Sequence, residues 1–174
     1  NIRKEGNYMA TPRGTSTDIA PKAPGGNLLY DLVTEFPLDH HIVALMLHEP
    51  FYAKVLRGVT RVCTQEIPTA GVLAKEGDIK MWYNPGFMAR LRDLQVRGLL
   101  KHEALHLALM HTTTRRLTPH IIHNWAADLA INSHLRGELP EMCLMPGEGP
   151  FADLPLGKSA EWYYNKLKQD QDEG

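Results

Sequence analysis

The chain has 174 residues, a formal net charge of −1, 43% hydrophobic residues and 22% charged ones. That is enough chain for one domain with its own core, and so even a charge balance excludes a broad electrostatic footprint for nucleic acid or anionic lipid. No apolar run reaches the length of a membrane span, and no early apolar stretch could serve as a signal-peptide core, so a cytoplasmic protein is expected. Two cysteines far apart in sequence, Cys63 and Cys143, also fit a reducing compartment better than a disulfide scaffold.

Residues 1–26 are polar and carry Pro, Gly and Thr. They read as a flexible arm in front of a domain over residues 27–168, with a disordered, charged tail at 169–174. "NLLYDLVTEF" and "LDHHIVALMLHEPFYAKVLRG" space their apolar residues as helices do, with Pro37 and Pro50 as punctuation and Gly58 as a stop. "VTRVCTQ", "TAGVLA" and "DIKMWYNP" are short and rich in β-branched or aromatic residues, which predicts a small mixed sheet of about three strands. "NPG" at residues 84–86 supplies turn chemistry at its end. "FMARLRDLQVRG" then leads, as one arm of a helical hairpin, into "LLKHEALHLALMHTTTRR". A third long helix, "TPHIIHNWAADLAINSHLRG", has Pro119 in its first turn and Gly137 as its stop. After an irregular stretch, "SAEWYYNKLKQDQDEG" reads as a last helix capped by Ser159. The fold class expected from this order is α+β.

The stretch "LKHEALHLALMH" carries the chemistry. His102 and His106 are four apart, so on a helix they share a face about 5–6 Å apart at Cβ and can turn a nitrogen each toward one zinc ion. Glu103 sits one step round, poorly placed as a ligand but able to reach a water at the metal and act as general base. The competing reading is a core helix with satisfied histidines. The apolar residues all round this helix predict burial, and buried imidazoles need partners, which a metal supplies. His111 lies five after His106 and nine after His102, about 140° and 180° round the helix, so it points away from the metal unless the helix breaks first. No glycine lies between His106 and His111 to turn the chain.

The following helix offers a third ligand. Asn124, Asp128 and Asn132 form a polar stripe on an apolar helix, and Asp128 comes far enough after His106 for the chain to turn and return alongside. Asp128 is either a zinc ligand, as in zinc proteases with a carboxylate on a second helix, or the ion-pair partner of Arg115, Arg116 or Arg136. Asn124 and Asn132 would orient Asp128 or tie down backbone. His120, His123, Tyr163, Tyr164 and the Arg115–Arg116 pair are candidates to stabilise an oxyanion, with surface placement as the default. His40, His41 and His48 are expected to face solvent, unless they build a second zinc site with Cys63 or Cys143.

The pieces "EPFYAKVLRGV", "IPTAGV", "IKMWYNPGFM", "GLLKHEALHLALMH", "NWAADLAIN", "LP" and "SAEWYYNKL" occur in that order. Together they resemble the metallopeptidase domain that, in many bacterial proteins, precedes a von Willebrand factor A-like domain. The resemblance covers about residues 45–167 and contains no A-like part. It implies a zincin-like α+β fold in which the HExxH helix packs antiparallel to an Asp-bearing helix. It also implies zinc held by His102, His106 and Asp128, with Glu103 catalytic and a protein or peptide as substrate. Departures from the family pattern lie at "LAKEGD" after Val72 and in the long, histidine-rich loop after His111. The expected activity is a zinc metallopeptidase, with the substrate extended along the strand ending "DIKMWY", taken as an edge strand. The rival expectation is a zinc-binding regulatory or interaction module with little hydrolysis.

Overall fold

The computed structural model describes residues 7–8, 32–111 and 117–172. Pro50 splits the helical pattern near the start into α1 (Asp39–His48) and α2 (Pro50–Leu56). Its ring occupies the first position of α2, and Glu49 between the two helices has a non-helical backbone, φ −142° and ψ 63°. The helix expected over residues 27–36 is not found in its described part. Residues 33–38 run without regular structure, their carbonyls accepting from the next segment: Gln65 Nε2 donates to Val33 O at 3.1 Å and Tyr83 Oη to Phe36 O at 3.3 Å. Pro37 disfavours helical backbone at Phe36 and explains part of this difference.

The sheet holds the two-residue β1 (Asn7–Tyr8), β2 (Thr60–Cys63), β3 (Ala70–Lys75) and β4 (Asp78–Tyr83), in the order β1-β3-β4-β2. β3 and β4 form an antiparallel hairpin in which Lys75 faces Asp78. Its two-residue turn, Glu76-Gly77, has φ +53° and +83°, the positive pair that a tight hairpin following the twist of its strands requires. β2 pairs parallel with β4, and β1 pairs antiparallel with β3 at Gly71 and Val72. β4 is therefore interior, paired on both sides, and not the edge strand that "DIKMWY" suggested. Alternation alone does not reveal which strand gains a second partner.

Asn84 ends the sheet and starts a helix. Its Oδ1 accepts from Phe87 N at 2.9 Å, capping α3 (Pro85–Met88), and its Nδ2 donates to Ile67 O at 2.8 Å. The next helix, α4 (Asp93–Ala108), runs unbroken through Gly98, where the sequence pattern placed a boundary. Glycine costs a helix interior about 1 kcal/mol relative to alanine. It is needed at 98 because a Cβ there would overlap the carbonyl oxygen of Glu138. α5 (His120–Asn132) and α6 (Ala160–Asp172) follow, with Ser159 Oγ accepting from Trp162 N at 3.2 Å as the expected cap of α6.

One core joins α1, α2 and the sheet to α4 through Leu45, Leu56, Val72, Met81, Leu99 and Leu100. A second joins α5 to α6 through Ile122, Leu129 and Tyr163. α4 lies between them and is fixed by a buried cation. Lys101 Nζ meets Glu49 at 2.9 Å, pairs with Glu138 and lies 5.4 Å from the centre of the Tyr52 ring. Burial pulls the Lys101 ammonium toward its neutral form, but the two carboxylates outweigh it and raise its pKa. No described helix is long and apolar enough to cross a membrane.

Candidate metal centre

α4 and α5 pack antiparallel, and their polar contacts step down one helix as they step up the other. His102 meets Asn132, His106 meets Asp128, and His111, just past the end of α4, meets His123. All six side chains are buried within an otherwise apolar interface. His102 Nε2 and His106 Nε2 are 2.9 Å apart, and Asp128 Oδ1 is 3.0 Å from His106 Nε2 and 3.5 Å from His102 Nε2. A tetrahedral zinc with bonds of about 2.0–2.1 Å sets its ligand atoms roughly 3.3 Å apart, so this triangle matches one face of such a site. These three residues form a group able to hold a metal ion.

The outer nitrogens explain why the inner ones converge. Asn132 Nδ2 donates to Leu144 O at 2.7 Å, which turns its Oδ1 toward His102. His102 Nδ1 lies 2.7 Å from that oxygen and must be the donor, because an amide oxygen only accepts. In the neutral ring Nε2 then carries a lone pair directed at His106 and Asp128. Burial and the neighbouring His106 hold His102 down to about 4, against Asp128 and the Asn132 bond, which favour the proton. Burial and then His123 hold His106 down to about 3. Both rings are neutral near pH 7, the form in which imidazole binds a metal.

His111 takes a place that helical geometry did not foresee. The chain leaves the helix at Leu109, and Met110 adopts φ +57°, a left-handed conformation rare for a side chain of its kind. His111 thereby folds back, its N–H donating to His106 O at 3.0 Å and its Nδ1 lying 3.4 Å from His106 Nδ1. It faces the outer nitrogen of His106, away from the triangle, and orients that ring from behind. His123 Nε2 donates to His111 O at 3.2 Å and fixes the turn. Leu109 and Met110 are exposed, so the apolar sequence of this helix overstates its burial at the C-terminal end.

Glu103 is 1% exposed, and neither carboxylate oxygen has a hydrogen-bond partner among the described residues. Burial first, and then the Asp128 carboxylate, push it well above the usual carboxylate range. The Val72 backbone N–H on β3 lies close enough to offset part of that shift without making a well-formed bond. Cys143 belongs to the same surroundings. Burial, Asp128 and Glu103 all raise its thiol pKa, so it is a neutral thiol beside the two acids.

The remaining sequence candidates fall elsewhere. Tyr163 Oη donates to Pro155 O at 2.6 Å and Tyr164 Oη to Thr118 O, so both hydroxyls are committed to backbone. His120 is exposed, with its ring against Leu117 O. Arg115 and Arg116 lie outside the described residues, and Arg136 pairs with Glu148 at 3.2 Å. Asn132 orients His102 and not Asp128, and Asn124 Oδ1 has no hydrogen bond among the described residues. His41 is not solvent-facing as expected: it is 1% exposed and stacks on Phe36. Neither cysteine joins a metal-binding group among the described residues.

Residues 35–174 match a family described as "Putative metallopeptidase domain". The chain belongs to that family. No curated protein and no solved structure matches it. Membership points to a metal ion and to protein or peptide substrates, and the histidine–aspartate triangle lies well inside the matched span.

Proposed function

We propose that this protein is a zincin-like metallopeptidase in which His102, His106 and Asp128 hold zinc and Glu103 is the general base. The observation that carries the reading is Glu103 itself, a buried carboxylate with no hydrogen-bond partner among the described residues, adjacent in sequence to His102 and within electrostatic reach of Asp128. A structural site would call for four protein ligands, and three leave a position for substrate or water. Bound zinc would polarise the scissile carbonyl and acidify the attacking water. Glu103 takes the proton of that water and returns it to the leaving amine, and its raised pKa suits a group that must do both. Asn132 and His111 hold the two rings so that their inner nitrogens stay aimed at the ion.

The substrate lies extended along the outer edge of β3. Two observations support this path. Val72 approaches Glu103, and the chain's own Asn7–Tyr8 pairs antiparallel with Gly71 and Val72 on that edge. A second reading, a metal-bearing regulatory module, draws on the burial of the centre, where Glu103 and all three donors are at most 4% exposed.

The test is zinc content by elemental mass spectrometry on wild type, Asp128→Ala and His111→Ala, followed by hydrolysis of a peptide library with Glu103→Gln as control. One zinc per chain, lost in Asp128→Ala and kept in His111→Ala, with cleavage abolished in Glu103→Gln, is the expected pattern. Bound zinc with no cleavage of any peptide would favour the regulatory module. A wild type that takes up no zinc would end both readings.

A further inference from the structure

A second cluster of ligand-type side chains lies away from this centre, where the first turns of α1 and α4 meet. One ring nitrogen each of His40 and His41 and one carboxylate oxygen of Asp93 lie within 4.8 Å of one another. The two imidazoles are packed with ring centroids 3.8 Å apart and planes tilted by 41°. His41 is held rigidly, 1% exposed and stacked on Phe36 at 5.8 Å, yet its Nδ1 is buried with no hydrogen-bond partner among the described residues. Leaving a polar nitrogen in that state is costly, and two neutral rings pressed together do nothing for each other's hydrogen-bonding capacity. His40 and Asp93 are both exposed and can close on an ion by side-chain rotation, while His41 provides the fixed point.

We propose that His40, His41 and Asp93 form a second divalent-metal site, joining the N-terminal turns of α1 and α4. Two imidazoles and one carboxylate select a borderline transition ion such as zinc, cobalt or nickel over magnesium or calcium, which prefer all-oxygen sites. Burial holds His41 below the usual histidine range, with His40 and Arg97 acting the same way against Asp93, so the ring is neutral and able to coordinate near pH 7. The N-terminal ends of both helices and the Arg97 guanidinium oppose a cation here. This site therefore binds more weakly than the His102–His106–Asp128 triangle, and water completes its coordination. Its effect is to clamp α1, and with it the rest of the first core, to the helix that carries the HExxH motif.

The experiment begins with full-length protein loaded with one equivalent of zinc and then titrated with cobalt. Cobalt binds a given donor set more weakly than zinc and leaves the first site undisturbed. The readouts are visible absorption and paramagnetically shifted imidazole N–H resonances. The wild type should take up one further equivalent, with shifted resonances from two histidines. Asp93→Asn should weaken that uptake by at least about tenfold, the scale on which even outer-sphere partners of a metal matter. His40→Gln should leave a single shifted histidine. Both substitutions are at exposed positions and spare the core. Asp128→Ala, without the first site, should still take up cobalt at the second, which keeps failure of one site distinguishable from failure of the other. A titration that stops at one metal, or a second equivalent bound equally well by Asp93→Asn and His40→Gln, overturns the proposal.

Discussion

Asn132 is the residue through which the metal centre is most open to attack without touching a proposed ligand. Its amide bridges His102 Nδ1 and the Leu144 carbonyl at 2.7 Å on each side. Truncation in Asn132→Ala leaves a buried ring N–H and a buried carbonyl without partners, each worth about 1–3 kcal/mol, or about 2–6 kcal/mol together. That is a large share of the roughly 5–15 kcal/mol that stabilises a small domain, and the metal-free variant should show it as a lower urea midpoint. His102 also loses what holds its Nε2 toward His106 and Asp128. Metal affinity, read by competition with a chromophoric chelator, should fall by about 10–100-fold. Asn132→Asp separates the two roles, since a carboxylate still accepts from His102 but cannot donate to Leu144. It should lose stability yet retain metal affinity close to wild type. If Asn132→Ala is destabilised but binds metal as tightly as wild type, the amide supports the fold alone and the orientation argument for His102 is refuted.

Gly98→Ala should destabilise the protein by about 1–3 kcal/mol in chemical denaturation, because the added Cβ meets the Glu138 carbonyl and overpacking outweighs the gain in helix propensity. A neutral or stabilising result would mean that α4 shifts freely at this contact. In the metal-free protein His102 and His106 titrate near 4 and 3 when folded but near 6.5 when unfolded. Their contribution to stability is therefore complete above about pH 6.5 and is lost as pH falls toward those values. Glu103 works in the opposite sense: its raised pKa makes its contribution complete below the usual carboxylate range and lost as pH rises. Glu103→Gln should consequently be more stable than wild type near pH 7, with the difference closing at acid pH in thermal melts. A gap that widens on acidification would contradict the burial argument. Removing residues 1–8 should lower KM for peptide substrates, since Asn7–Tyr8 occupies the edge of β3. An unchanged KM would separate that edge from the substrate path.

Much of the centre follows from spacing. Residues 102 and 106 share a helix face by periodicity, and the distance from His106 to Asp128 is right for an antiparallel return, which the structure displays. What spacing does not carry is the second end of each tether. Asn132 stands on the same stripe as Asp128, but its choice of His102 depends on Leu144, a loop residue buried in the second core with Leu129 and Tyr163. Helical spacing turns His111 away from His106 for as long as the helix continues, but the helix ends before it. Its return to His106 needs a left-handed Met110, a conformation that no glycine or asparagine marks in advance. His41 reads as a surface residue by composition, yet the irregular segment before α1 brings Phe36 over it. The interior position of β4 is a tertiary choice of the same kind, made by β2 pairing parallel to it with β3 lying between them in the chain.

The arrangement around Val72 argues for peptide chemistry over other uses of a metal and a base. Val72 is fully buried in the first core, so its side chain fixes β3 against α4. Its main chain does two further things: it presents an N–H toward Glu103, and it pairs with an extended segment at residue 7. A small-molecule site would surround the base with side chains that differ in shape and polarity. Here the neighbour of the base is the backbone of β3, whose outer side is paired with the two-residue β1 at Gly71 and Val72, and strand pairing recognises backbone while staying indifferent to the side chains that alternate away from it. On the proposed path an extended peptide would take the place of Asn7–Tyr8 against Gly71 and Val72, beside the Val72 N–H that faces Glu103. With Glu103 as the proposed base, such a path would let it stay buried and still act, because the peptide would reach it by replacing one strand with another.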